Sequence, residues 1–171
     1  MKEVIIMQAS AQPIKSDEYL KNYYEQDKTR DVLIQFFGKE TPTSQRLSYI
    51  EEKDKPYFWQ RVRTDETHIE QGCDQIILDL DEDDKDAQAE KIRTYCNARG
   101  IIFEEYRSGG KRNGYHFHIY CKELGYLEKE EREYIRLFFI EMFNADRMLK
   151  TDRHLIALPG TIRHVTGRRK E

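Results

Sequence analysis

No stretch of this chain comes near the roughly 18 consecutive apolar residues that a membrane-spanning helix requires, and its opening, MKEVIIMQAS, turns polar too soon for a secretory signal. A soluble, cytoplasmic protein without a membrane partner is expected. Cysteine is scarce as well: Cys73, Cys96 and Cys121 stand far apart and form no CxxC pair, which argues against a disulfide frame and a zinc knuckle. They are read as small buried hydrophobes. There is no internal repeat, low-complexity tract or convincing linker. Net basic charge is also missing. The formal charge is −3, whereas a protein living on nucleic-acid affinity alone normally carries a basic face that neutralises phosphate. A nucleic-acid partner therefore requires segregated charge.

What the chain does have is core material and charge in blocks. Its 171 residues suit one compact domain spanning 1–171 and are too few for two full ones. Eight Phe, eleven Tyr and one Trp sit among 38% apolar and 36% charged residues, which is not a disordered composition. Acids crowd into DLDEDDKD at 79–86, while bases gather in RSGGKR at 107–112 and RHVTGRRK at 163–170. One acidic locus thus stands against two basic ones.

From Gln75 the pattern is legible. QIILDL is a short apolar run of the kind that makes a buried strand. Ala89, Ile92, Tyr95 and Cys96 then recur at helical spacing up to Gly100, giving a helix over 84–99. IIFEEYRS and GYHFHIYC read as a hairpin around a glycine-rich turn. Glu128 to Phe143 opens acidic and carries Tyr134, Ile135, Leu137, Phe138, Met142 and Phe143 on one broad side, a second helix. HLIAL closes the series as a strand before Pro159 and Gly160. The fold class expected is α+β, with a β-α-β-β-α-β core over 71–171 forming one antiparallel four-stranded sheet. Residues 1–70 should add an N-terminal α/β layer, with KEVIIM, RDVLIQFF and YFWQRVR as strands and SDEYLKNYYE as a helix begun by Ser16.

Three loci could do chemistry. The two-residue period of a strand turns Asp79 and Asp81 to one face and Leu78 and Leu80 to the other. Two carboxylates so placed repel unless a cation neutralises them, and hard oxygen donors favour Mg²⁺ or Mn²⁺. An acidic pair is ordinarily a solvated turn, but IIL directly before this one favours a buried strand end. SGGKRNGYHFHIY combines permissive glycines, two cations and His116 with His118 on one face; such a turn can cradle phosphates through backbone N–H groups, or be an ordinary polar hairpin loop. The third locus, FNADRMLKTDRHLIALPGTIRHVTGRR, supplies Asp146 and Asp152 before a strand, then Arg163, His164, Arg168 and Arg169 after it. Charge runs of this kind are usually solvated.

Taken in order, the three loci resemble the motifs of the archaeo-eukaryotic primase (primase-polymerase) superfamily. IILDLD is similar to that family's hydrophobic strand ending in DxD. Ser108, Gly109, Gly114 and His116 are similar to its serine-glycine turn leading to G-x-H, and HLIALPGTIRHVTG to its third segment, RLIRLPGSLHGKTG. The resemblance implies an RRM-like catalytic core of a mobile-element or viral type, or a core cut from a longer primase-helicase. It implies two Mg²⁺ or Mn²⁺ ions on Asp79, Asp81 and Asp146, with Asp152 as the nearer rival for the third ligand. Ser108, Gly109, Lys111, Arg112 and His116 would contact the incoming nucleotide's phosphates. The family's later histidine aligns with Arg163, with His164 one place on, and either would bind the triphosphate; Ala157 stands where the archaeal form has arginine.

The function so implied is a DNA-dependent primase, a nucleotidyltransferase using NTPs or dNTPs on a single-stranded DNA template, with a helicase domain or accessory primase subunit as a further partner. Arg168 and Arg169, with Arg163 and the aromatic N-terminal layer, would contact template through backbone charge and base stacking. Two rivals come from other chemistry. A rolling-circle nickase would hold one metal on His116 and His118 and attack DNA with a tyrosine such as Tyr134. A non-catalytic single-strand binder would stack bases on Phe117 and Tyr115.

Overall fold

QIILDL forms strand β4 (Gln75–Leu80) with four consecutive buried residues before Asp79, as an apolar run ending in acids should. The computed structural model describes residues 31–36, 43–62 and 65–171. The expected strand KEVIIM and helix SDEYLKNYYE lie outside the described residues. β4 is followed by α2 (Lys85–Arg99), where Ala89, Ile92 and Cys96 are buried. Gly100 ends that helix in the left-handed region at φ 63°, its N–H turned back to the carbonyls of Cys96 and Asn97. β5 (Phe103–Arg107) and β6 (Tyr115–Tyr120) make the expected hairpin. α3 (Lys129–Met142) starts at a capping box in which Glu128 and Glu131 satisfy each other's exposed backbone donors.

In front of these lie β1 (Val32–Phe36), β2 (Thr43–Arg46), α1 (Lys55–Val62) and β3 (Glu66–Glu70), and behind them β7 (Leu155–Ala157). The protein is thus α+β, with an antiparallel sheet ordered β2-β1-β3-β7 and a second ordered β4-β6-β5. YFWQRVR, expected as a strand, is helical over its described residues, 57–62. Phe58, Trp59 and Val62 are its buried residues, at helical spacing, and Pro56 stands in the first turn, where a missing N–H costs nothing.

Among the described residues the expected four-stranded core sheet has three strands. A fourth strand would have to add to the free edge of β4, and that edge is already closed: the Ile77 amide donates to Gln71 Oε1 at 2.8 Å, and the Asp146 amide donates to the Asp79 carbonyl at 2.9 Å. Leu155–Ala157 pairs instead with His68–Glu70 in the other sheet. One continuous hydrophobic cluster, from Ile34 and Phe58 to Leu78, Phe117 and Ile140, joins both sheets and the helices.

Opposed residues of an antiparallel pair share a face. The register Leu78↔Phe117↔Glu105 belongs to the face under α2, where Arg93 grips Glu105. The register Asp79↔His116↔Tyr106 and, one step on, Ile77↔His118↔Glu104 belong to the other face.

α3 presents its sides differently from the sequence expectation. Tyr134, Phe138 and Met142 are exposed, while the largest fully buried side chain belongs to Arg136. Its guanidinium donates to the carbonyls of Gln75 (2.9 Å) and Gly72 (2.8 Å) and pairs with Asp152. A buried cation persists only when its donors are met, and these are. Arg136→Ala should lower the unfolding free energy by roughly 3–5 kcal/mol, because it empties a fully buried site and takes away one of the two arginines on Asp152 together with the donors to two carbonyls. Tyr134→Ala on the outer face should stay within about 0.5 kcal/mol, and denaturant titration of both variants tests this.

Candidate functional site

The face of the β4-β6-β5 sheet turned away from the helices carries an acid-base cluster. Asp79 sits opposite His116, whose Nε2 is 3.3 Å from Asp79 Oδ2. Asp81 follows just past the strand end, beside Gly114, the residue before β6. A side chain at Gly114 would collide with the Leu80 carbonyl and the Asp81 carboxylate. This glycine is therefore set by close approach, and it gives Asp81 its room. Oδ1 of Asp79 and Oδ1 of Asp81 are both buried and accept no hydrogen bond.

The surroundings push the two acids apart. Burial raises Asp79, but His116, Lys170 and Arg163 outweigh it and hold the carboxyl below its ordinary value. Asp81 is raised, first by burial and then by the charge of Asp79, against the opposing pull of Arg112, Lys85 and Arg163. His116 is lowered to about 4, by burial first and by Lys170 second. It is a neutral imidazole at neutral pH.

Ser108–Gly114 closes on itself, the Ser108 amide donating to the Gly114 carbonyl at 2.9 Å and the Gly110 amide to Ser108 Oγ at 3.3 Å. Ser108 and Gly109 are buried against the segment at 160–170. Gly109 has φ 68°, and a Cβ there would come within 2.8 Å of the Arg169 carbonyl. Lys111 and Arg112 are exposed, with Arg112 donating to the Asp81 carbonyl at 3.2 Å. Arg163 bridges the sheets: its Nε is 2.8 Å from Glu66 Oε1 on β3, and its Nη1 donates to the Ser108 carbonyl at 3.4 Å. Asp79, Asp81, Ser108, Gly109, Arg112, His116 and Arg163 are thus gathered into one locality.

Others stand differently. Asp146 has its amide on the Asp79 carbonyl, so its backbone is beside the first acid, but its exposed carboxylate caps the following turn through the Met148 amide at 2.9 Å. Asp152, the rival third ligand, is held by Arg132 at 2.8 Å and by Arg136. Among the described residues no three His, Cys, Asp or Glu side chains form a metal-holding group. His164, Arg168 and Arg169 are exposed, and Arg169 also braces the Gly160 carbonyl at 3.0 Å. Tyr134 lies on the outer side of α3, which shares with α2 the face opposite His116 and His118. Phe117 is wholly buried under those helices, and Tyr115 is flanked by Arg107 and Arg93.

Two residues were not legible as site components. Lys170 is fully buried, its Nζ donating to the Ala157 carbonyl at 2.7 Å and lying 3.1 Å from His118 Nε2. Burial lowers it far below the ordinary lysine value, against the attraction of Asp79. In the sequence it is merely the end of a basic run. Glu66 is buried on β3, lowered because His68, the His164 amide and Arg163 outweigh its own burial. The alternation in ETHIE was its only signal.

A scan against protein-family models matched none, and searches of curated proteins and of solved structures found no match. Among the described residues no helix is long and apolar enough to cross a membrane.

The neutrality of His116 has a consequence for acid stability. The unfolded chain takes a proton on this ring below about 6.5, whereas the folded chain resists until about 4. Its contribution is complete above pH 6.5 and is lost progressively as pH falls towards 4. Unfolding free energies measured across that window should fall with acidity, and His116→Gln should show a visibly shallower fall.

Proposed function

We propose that the chain is the catalytic core of a DNA-dependent primase-polymerase. It transfers nucleotides from NTPs or dNTPs to a 3′-hydroxyl, or to a first nucleotide, on single-stranded DNA, and so makes replication primers. One observation carries the reading: Asp79 and Asp81 leave the same strand end with buried, unpartnered oxygens, in reach of the charges of Arg163 and Arg112. Unmet buried acceptors of this kind fit a hard divalent cation. Mg²⁺ is commonly held by one or two carboxylates together with substrate phosphates and water, so a complete protein cage is not required.

Asp79 and Asp81 would hold the metal, with Asp146 as a third donor if its carboxylate leaves the turn it caps. Two such ions, when bound, supply activation of the 3′-hydroxyl and neutralisation of charge at the departing pyrophosphate. The protein's own groups do the rest. Arg163, with Lys111, Arg112 and His164, offsets phosphate charge beside the acids. The turn at Ser108 and Gly109 brings backbone close to the triphosphate. His116 buttresses Asp79 and, being neutral, adds no charge that would compete with a cation. Arg168 and Arg169 offer sequence-independent contacts to template backbone.

Labelled nucleotide incorporation on a single-stranded template tests the reading. Asp79→Ala should cut incorporation by roughly a hundredfold or more while leaving the chain folded; wild-type activity in that variant would sink the mechanism. Chelation by EDTA should abolish incorporation, and added Mg²⁺ or Mn²⁺ should restore it.

A further inference from the structure

Arg163 is the cation whose place matters most to the proposed triphosphate site, since its charge acts on Asp79, Asp81, His116 and Lys170 alike. Its loop follows Pro159–Gly160, and a long side chain on such a loop would sample many rotamers if nothing held it. One buried carboxylate holds it. Glu66, with its side chain 4% exposed, places Oε1 at 2.8 Å from Arg163 Nε and 3.0 Å from His68 Nε2. Its Oε2 accepts the His164 amide at 2.8 Å. The same residue therefore fixes both the guanidinium and the backbone just beyond it. From there Arg163 reaches the Ser108 carbonyl, just past the end of β5 in the other sheet, at 3.4 Å.

We propose that Glu66 is a positioning residue of the nucleotide site: it acts through Arg163, setting the guanidinium fork for a triphosphate without touching that ligand itself. This rests on the reading of the site given above. Arginine binds phosphate best as a pre-organised planar fork; with Glu66 on Nε and the Ser108 carbonyl at 3.4 Å from Nη1, the guanidinium plane is fixed on two sides and Nη2 is left to face the ligand. The alternative role for a buried Glu–Arg pair is bulk stability alone, for which such pairs are poor devices.

The test is a double-mutant cycle on the full chain, read as the affinity for inorganic tripolyphosphate by calorimetry, with thermal melts alongside. Glu66→Gln keeps the shape and one acceptor, and should weaken tripolyphosphate binding about tenfold, the worth of a charge-assisted hydrogen bond. Arg163→Ala should weaken it at least as much. Adding Glu66→Gln to Arg163→Ala should then change nothing further. In the incorporation assay the loss in Glu66→Gln should appear in KM for nucleotide, with kcat near wild type. Unchanged affinity in Glu66→Gln, or an equal further loss in the double variant, overturns the proposal, as does a wild-type chain that binds no tripolyphosphate. Should Glu66→Gln fail to fold, Arg163→Lys carries the test: it keeps the charge without the fork, and wild-type affinity there also overturns the proposal. A wild type that binds tripolyphosphate in this pattern but incorporates no nucleotide defeats the polymerase reading and leaves the positioning role standing.

Discussion

Two carboxylates cannot occupy the buried end of one strand without positive charge nearby, because burial and mutual repulsion both oppose ionisation. Much of the surrounding structure answers that constraint. Lys170 enters from the 160–170 segment, wholly buried, and Arg163 enters from the same segment but is anchored on the opposite sheet. His116 first, then Lys170 and Arg163, hold Asp79 below its ordinary value, while burial and Asp79 itself raise Asp81. Unequal acids in one small volume are a common signature of functional sites, and a divalent ligand would relieve the unmet oxygens that remain.

The same segment also joins the two sheets. The Leu158 amide donates to the Thr67 carbonyl, the Thr67 amide to Thr161 Oγ1, and Gly160 and Thr161 exchange hydrogen bonds with Lys170. Glu171 and Arg107 then bond each other's backbone at the end of β5. Sheet joining and charge delivery are thus one device. That economy makes the acid pair sensitive to anything that displaces residues 158–170, even far from the carboxylates.

Where residues follow a local rule, the sequence was a good guide. QIILDL became β4 over the expected residues, the helix before Gly100 ended where a left-handed cap could form, and Asp79 and Asp81 came near enough for the charge of one to raise the other. YFWQRVR misled because aromatic and branched side chains suit strands, whereas Pro56 and the spacing of Phe58 and Val62 favoured a helix. The apolar side of α3 misled for a different reason. Arg136 lay inside that pattern, and only the carbonyls of Gly72 and Gln75 together with Asp152 make its burial tolerable.

The sequence by itself determined the α+β class, the strand bearing the acids, the glycine turn opposite them and the segregation of charge, since each depends on neighbours within a few residues. Tertiary structure decided the rest. It sent Leu155–Ala157 to the other sheet, because Gln71 and Asp146 had already taken the free edge of β4. It drew Asp152 into an arginine clamp and set Glu66 behind Arg163. It also buried Lys170, a residue that by charge alone belongs in water, because a carbonyl, a histidine and a buried aspartate converge where it enters. Partners a hundred residues apart leave no local pattern, so no periodicity could have announced them.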